Sequence, residues 1–409
     1  MSDWTESPLE ALVSFQKGRK VQTSHEPRLG YERYLGASGI LGLSDGFAST
    51  DGAVTAVEDD VLMLWDGERS GLVGHRQSGV VASTVSRLRP SGAVNSAYLY
   101  YALASQFDWV QNRRTGSGVP HVPKEIGRIL RVRYPRDVLE QNRIAAILTS
   151  LDTAIESTEA QIEKHLQIRA GLLHDLFARG VALDGSIREP HARSRADGAV
   201  VDAVPAGWDV LPLQRCLTES ASNGIYKPPH LIGSGALLVG QTAITEDRSV
   251  DPKLARRALV SAAEVRRFGV AAGDVLVARV FATVEGVGRP ALVPDLGEPA
   301  VFESNMMRLR VAASVIRPRL LFEWLKSDAS RRHIEGRANA SNQVSVNQSV
   351  LYPLPVPIPP MEEQDRMVER IEAADRARAA DLAVLEKLRM QKQGLMQDLL
   401  TGRVHVRAD

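Results

Sequence analysis

Two long stretches of this chain repeat one another. Residues 139–180 (LEQNRIAAILTSLDTAIESTEAQIEKHLQIRAGLLHDLFARG) and 361–403 (MEEQDRMVERIEAADRARAADLAVLEKLRMQKQGLMQDLLTGR) match at a constant displacement of 223 residues. Glu140-Gln141 corresponds to Glu363-Gln364, Glu163-Lys164 to Glu386-Lys387, Gly171-Leu172 to Gly394-Leu395, and Asp175-Leu176 to Asp398-Leu399. An offset held over that length makes the chain a tandem duplication. The first stretch has no proline and one internal glycine, and its apolar residues recur at helical spacing, predicting one long helix. Leu148, Ile155 and Ile162 follow at steps of seven, with Leu151, Leu166, Leu172, Leu173 and Leu176 on the same side, so a narrow apolar stripe runs along a polar rod. Such a stripe needs a partner, and the second copy supplies one. At about 1.5 Å per residue, roughly 40 residues extend about 60 Å, against about 11–12 residues in an ordinary globular helix. Helices of that length suit a spacer. Docking of both as ordinary core helices is disfavoured by the narrow stripe and by Phe177 being the only aromatic in either.

The duplication divides the rest of the chain into 1–138 as a first lobe, 139–180 as a first helix, 181–204 as a linker, 205–360 as a second lobe, 361–403 as a second helix and 404–409 as a tail. The linker carries Gly, Pro, Ser and mixed charge, with apolar residues only at its end. In the first lobe a Gly- and Ser-rich stretch reads as turns and short strands. After it, 60–65, 79–85 and 86–89 read as strands bounded by Gly and Pro, and 97–112 reads as one short helix with Tyr98, Leu99, Ala102 and Leu103 on a face. The second lobe echoes these features: Trp208, Leu211, Leu213 and Leu217 echo Trp4, Leu9 and Leu12; 273–277 follows 59–63; and 304–310 follows 83–89.

A chain of 409 residues with 44% apolar and 5% aromatic residues is ordinary for a folded protein of two to three domains. The single cysteine, Cys216, excludes an internal disulfide and points to a reducing compartment. No basic start followed by an apolar core, and no run of about 18 apolar residues, occurs, so a cytoplasmic location without membrane contact is expected. The lobes carry net charges of +1 and +4 and the helices −2 and −1, which favours a polyanionic partner only weakly.

Catalytic signatures are missing. There is no Gly-x-x-x-x-Gly-Lys-Ser/Thr phosphate loop, no His-Glu-x-x-His and no paired cysteine for zinc. Lys227-Pro228-Pro229-His230 lacks the amide or carboxylate before the prolines, and the aromatic after them, that an amino-methyltransferase turn requires. His121, His165, His230 and His333 are scattered among different segments and read as surface or packing residues.

With these residues in view, the chain resembles the DNA specificity subunits of type I restriction-modification enzymes over nearly its whole length. The carriers are Pro359-Pro360-Met361-Glu362-Glu363-Gln364, similar to the family's Pro-Pro-x-x-Glu-Gln helix start, Leu139-Glu140-Gln141-Asn142-Arg143-Ile144, Gly273-Asp274-Val275-Leu276-Val277-Ala278-Arg279, and the order lobe, helix, lobe, helix. The first copy departs from the pattern, with Val138-Leu139 where the second has Pro-Pro-Met. The resemblance implies an α+β fold of two similar mixed α/β target-recognition domains separated by two long antiparallel helices forming a coiled coil. It implies a non-catalytic protein that reads a bipartite site in double-stranded DNA, with the helices setting the gap. The implied partners are two modification (methyltransferase) subunits and restriction (motor and nuclease) subunits. No cofactor is expected in this chain, since S-adenosylmethionine, ATP and Mg2+ belong to those partners. The alternative from another class is a coiled-coil scaffold that binds only proteins.

Residues reading different half-sites should lie where the lobes differ, roughly 16–58 and 218–270. The candidates there are Lys20, Arg28, Tyr31, Arg33 and Tyr34 in the first lobe, and Asn223, Tyr226, Lys227, Arg248, Arg256 and Arg257 in the second. Arg and Lys contact phosphates or guanine, Asn pairs with adenine, and Tyr stacks or donates. The corresponding segments 113–117 and 339–343, which precede the final strand of each lobe, are expected to have a framework or phosphate role.

Overall fold

The computed structural model describes residues 4–116, 118–182, 184–188, 204–339 and 343–406. Most of the expected linker, Ser117, residues 340–342 and the end of the tail lie outside the described residues. Two compact units form: Met1–Ile162 with Ala380–Asp409, and Glu163–Ala379. Each unit therefore combines a lobe with the start of one long helix and the end of the other.

The units follow one plan. In the first, Trp4–Pro8 pairs antiparallel with Arg131–Pro135. A four-stranded sheet runs in the order Val13–Lys17, Val85–Pro90, Val61–Leu64, Val73–Gly74, and a five-stranded sheet has Tyr31–Leu35 parallel to Gly79–Val81 at its centre. In the second unit, Asp209–Pro212 pairs with Pro355–Ile358. The four-stranded order there is Ser222–Asn223, Met306–Leu309, Val275–Ala278, Pro290–Leu292, and Ile232–Val239 runs parallel to Ala300–Phe302. Val61–Leu64 and Val275–Ala278 are buried at every residue, which is why both read as unbroken apolar runs rather than alternating ones.

The motif residues before these two strands have one structural job. Asp60 and Asp274 are buried carboxylates. Each accepts a turn N–H, from Val57 at 3.0 Å and Ala271 at 2.9 Å. Each also binds an arginine through two nitrogens, Arg89 on the neighbouring strand at 2.7 and 2.8 Å and Arg310 just past the end of its neighbouring strand at 3.1 and 2.9 Å. A buried carboxylate is tolerated when it is fully bonded in this way.

Local departures from the sequence reading have local causes. The helix expected over 97–112 is two helices, Ser96–Ala104 and Phe107–Gln111. The Ser105 hydroxyl turns back to the Ala102 carbonyl at 2.8 Å and so competes with the helix ladder at the break. The strand expected over 79–85 stops at Val81, where a tight turn closes with Val85 N–H on the Ala82 carbonyl. The second long helix ends at Leu400 rather than 403.

The long helices span Val138–Arg179 and Met361–Leu400. Gly180 and Gly402 follow them at φ 76° and 70°, the left-handed conformation that terminates helices and favours glycine. In the first unit Ile144, Ala145 and Leu148 of one helix and Leu399 and Leu400 of the other join a core with Leu9, Leu12, Tyr98, Leu99 and Val132. In the second, Leu176, Met367 and Ile371 join Trp208, Leu213, Phe322 and Leu351. Polar ties run antiparallel between the helices. Asp152 meets Lys392, Glu159 meets Arg389 at 2.6 Å and Gln161 meets Asp381 at 3.5 Å in the first unit; Arg169 meets Asp375 at 2.5 Å in the second. Leu166, placed on the buried stripe by its spacing, is 40% exposed, since Arg169 beside it is drawn inward to Asp375 and the buried Glu323.

The repeated Glu-Gln pair anchors each lobe to the helices. Gln141 and Gln364 are fully buried. Gln364 accepts from Arg317 N–H at 2.7 Å and donates to the Val315 and Pro359 carbonyls at 2.9 and 2.8 Å. Gln141 accepts from Asn95 N–H at 2.7 Å and donates to Pro135 at 2.8 Å and Ala93 at 3.4 Å. Each glutamine thus ties the last strand of its lobe to the start of a lobe helix. The adjacent carboxylates receive the end of the other long helix. Glu363 accepts from Val181 N–H at 2.7 Å, Arg188 at 2.5 Å and the Trp208 indole at 3.1 Å, while Glu140 meets His405 at 3.1 Å beside Trp4.

Candidate nucleic-acid interface

Each lobe sends one segment across its parallel strand pair through a glycine. Gly18 follows Val13–Lys17, and a Cβ there would overlap the Val81 and Ala82 carbonyls. Gly224 follows Ser222–Asn223, and a Cβ there would overlap the Phe302 and Glu303 carbonyls. Glycine is required where two backbones approach this closely. Two residues beyond each glycine an exposed candidate emerges, Lys20 in the first lobe and Tyr226, 74% exposed, in the second. The scaffold is the same and the presented chemistry differs.

In the first lobe, Arg28 lies in the exposed connection 25–30 beside the fully exposed Leu29. Lys20 and Arg28 have no ion-pair partner among the described residues. Tyr31, half-buried, donates its hydroxyl to Gln22 at 3.2 Å. Arg33 is held by the Gly42 and Leu43 carbonyls at 3.1 and 3.4 Å and by Gln77 at 3.3 Å. Tyr34 packs against the core of Leu35, Ile40 and Val81, and burial, followed by the charge of Asp45, raises its pKa. Lys20 and Arg28 are therefore the free cations of this group, while Arg33, though exposed, is held by backbone carbonyls and Gln77, and Tyr34 faces the core.

In the second lobe, Asn223 and Tyr226 are exposed on either side of the buried Ile225. Lys227 is 7% exposed and bound to Glu264 at 2.7 Å. That contact, with the Ser261 N–H next, holds the Glu264 carboxyl down at about 2. Arg256 pairs with Glu303, and Arg257 grips Glu298 through two nitrogens at 2.7 and 2.8 Å. Arg248 donates Nε to the Pro290 carbonyl at 3.0 Å and adopts φ 68°. Burial and the nearby charges of Arg289 and Arg331 push its pKa down. The stretch 218–270 singled out by comparing the lobes contains Arg248, while Arg289 and Arg331 lie outside it.

The two segments before the final strands are described in part. Thr115 bridges to His121 and Asn339 to Ser345. Arg113 lies over the Trp109 ring at 4.1 Å, and Arg114 donates to the Glu68 and Gln111 carbonyls. Ser117 and residues 340–342 lie outside the described residues. No cluster of three or more His, Cys, Asp or Glu suited to a metal ion occurs among the described residues, and no described helix is long and apolar enough to cross a membrane.

Residues 1–167 and 270–387 match the family model described as the type I restriction modification DNA specificity domain. Over 426 aligned positions the chain is 24% identical to the type I restriction enzyme MjaVIII specificity subunit of Methanocaldococcus jannaschii, covering 99% of this chain and 94% of that one. It is 24% identical to the StySPI specificity subunit of Salmonella potsdam, covering 77% and 67%. Among solved structures, the S subunit of a type I restriction-modification system from M. genitalium superposes with a TM-score of 0.61 at 13% identity, covering 100% of this chain and 97% of that one.

Proposed function

The chain belongs to the type I restriction modification DNA specificity family, and from that premise we propose that it is the sequence-reading subunit of a methyltransferase and endonuclease complex. The reading rests on one observation. Two copies of a single scaffold present exposed residues of different chemistry at the same place, Lys20 after Gly18 and Tyr226 after Gly224. Identical lobes would read a repeated half-site; lobes that differ at the point of presentation read an asymmetric one. Each correctly read base pair contributes roughly 1–3 kcal/mol, so one lobe reading a few pairs is selective but weak. Two lobes on one chain make the second engagement intramolecular and raise the affinity without new contacts.

In this reading Lys20, Arg28, Asn223 and Tyr226 face DNA, and the long helices set the half-site spacing and dock two modification subunits, with restriction subunits joining them. S-adenosylmethionine, ATP and Mg2+ act on those partners, and the chemistry is theirs. The test is base-resolution mapping of DNA methylation in cells that express the cognate modification subunit with and without this chain. The expected result is an interrupted, asymmetric methylated motif that disappears without the chain. An unchanged map, from a modification subunit active by itself, would overturn the proposal.

A further inference from the structure

Three arginines of the second unit converge on one short loop. Residues 285–290 read EGVGRP. The loop is tight because a Cβ at Gly286 would overlap the Phe281 ring, while Gly288 adopts φ 68° and a Cβ there would press on Ile334 at 2.5 Å. Its carbonyls grip the guanidinium groups from behind. Arg248 donates Nε to Pro290 at 3.0 Å, and Arg289 donates Nε to Glu285 at 2.6 Å. Arg331 donates Nη2 to Val287 at 2.9 Å and to Glu285 at 3.1 Å. The Nη groups of Arg248 and Arg289 then have no partner among the described residues, and Nη1 of Arg331 is buried without one.

The surroundings leave this group positive. The cleft, about 550 Å³, is lined by Arg248, Arg289, Arg331, Arg332 and Lys326 against Glu285, Asp328 and Glu335. Glu335 is taken by Arg331 at 2.9 Å. The Glu285 carboxylate is held by its own N–H and the Thr283 hydroxyl. The charges of Arg289 and Arg331 act on the Glu285 carboxylate as well, but neither Arg248 nor Arg289 has a carboxylate within ion-pair distance among the described residues, and Arg248 keeps a left-handed backbone that an L residue seldom adopts. Strain of this kind, where the surrounding structure enforces it, points to function.

The first unit builds the same loop with its arginines placed differently: Arg69 stands where the second unit has Gly286, and Arg114 donates to the Glu68 carbonyl, the counterpart of Glu285, at 2.6 Å. Pairing of Met63 with Val73, and of Val277 with Pro290, puts Leu72 where the second unit has Arg289. Gln111 donates to the Ser70 carbonyl at 2.6 Å, the role Arg331 plays toward Val287. A scaffold carbonyl that an amide satisfies in one lobe is met by a guanidinium in the other. The fold needs only a donor at that carbonyl.

Resting on the reading of the chain as a DNA-binding subunit, we infer that Arg248, Arg289 and Arg331 of the second lobe form a preformed site for a backbone phosphate of DNA. Arg248 and Arg289, each fixed through Nε alone, present their remaining N–H donors to phosphate oxygens at little entropic cost, and Arg331 adds its Nη1. Such a contact positions the lobe on the duplex and carries no base preference.

The test uses the full chain with its modification subunits and measures binding to cognate and scrambled duplexes across a salt series. Arg248→Gln and Arg289→Gln should each weaken binding by about 3–10-fold at low salt, equally on both duplexes, and lower the slope of log affinity against log salt by about 1. Arg289→Lys should retain the slope, and Arg131→Gln, which removes an arginine already paired with Glu6 at 2.6 Å, should leave it unchanged. An unaltered slope in Arg248→Gln and Arg289→Gln, with the parent binding DNA normally, would overturn the phosphate site alone. No DNA binding by the parent complex would instead overturn the underlying reading. Tripolyphosphate titrated without DNA separates a second source of the same chemistry: loss of its binding in the variants with an intact DNA slope would assign the site to a free polyphosphate and refute the inference.

Discussion

Replacing Gln364 by leucine tests how the second lobe is held to the long helices. Leucine is close to glutamine in volume and apolar, so the change removes hydrogen bonds while leaving no sizeable void. It strands the Arg317 N–H and the Val315 and Pro359 carbonyls, which Gln364 now satisfies at 2.7, 2.9 and 2.8 Å in a fully buried position. A buried polar group left without its partner costs roughly 1–3 kcal/mol, and carbonyls are less demanding than N–H groups. The expected loss is therefore about 3–5 kcal/mol, a large part of the roughly 5–15 kcal/mol that holds a domain together. Gln141→Leu should cost less, about 2–4 kcal/mol, because its third bond, to Ala93, is 3.4 Å long. Gln364→Glu should be worse than leucine, since a carboxylate would face two carbonyls in a buried site. Urea unfolding followed with amide hydrogen exchange by mass spectrometry reads both size and place. Protection should fall in peptides spanning 313–326 and 359–371 and stay unchanged over 4–35. A loss under about 1 kcal/mol, or exchange that rises evenly along the chain, would refute the anchoring role of the glutamine.

Gly18→Ala and Gly224→Ala should each destabilise their own unit by about 1–3 kcal/mol, because the obstructing atoms are strand carbonyls that cannot rotate away; unfolding midpoints equal to the parent would show that the crossing segments yield instead. Glu363→Gln should lower stability by roughly 2–4 kcal/mol, since an amide cannot accept from Val181, Arg188 and Trp208 together, and a blue shift in tryptophan fluorescence would fail to appear if Trp208 keeps its bond. The Glu264 carboxyl sits at about 2 against an ordinary 4.5, mainly through Lys227. A carboxyl depressed on folding contributes stability that is complete above the unfolded value and is lost as pH falls from about 4.5 toward 2. Lys227→Met should raise the Glu264 value in an NMR titration, and an unmoved value would assign the effect to the Ser261 cap alone. Tyr226→Ala should weaken cognate DNA binding about tenfold with no change in the urea midpoint, because the side chain is largely exposed; a shifted midpoint with intact binding would make it a packing residue.

The sequence by itself determined the duplication, the apolar strands, the two long helices and the family, because each is carried by spacing and order along the chain. Val61–Leu64 and Val275–Ala278 are legible as buried strands since burial on both faces leaves no alternation to misread. The Glu-Gln pairs were legible as text, though their work was not: Gln364 bonds residues 47 and 49 positions away, and Glu363 bonds Val181, 182 positions away. Tertiary structure also decided which candidate cations remain free. Lys227 finds Glu264, Arg256 finds Glu303 and Arg257 finds Glu298 across 37, 47 and 41 residues, leaving Lys20 and Arg28 exposed. Comparing the repeats could not find Arg289 or Arg331: Arg289 stands where the other lobe has Leu72, and Arg331 serves the carbonyl that Gln111 serves there from a different helix position. Periodicity is a local property that short-range sterics and burial write into the chain. Whether a charge is neutralised depends on an approach within about 4 Å between residues far apart in sequence, and only the folded chain brings them there.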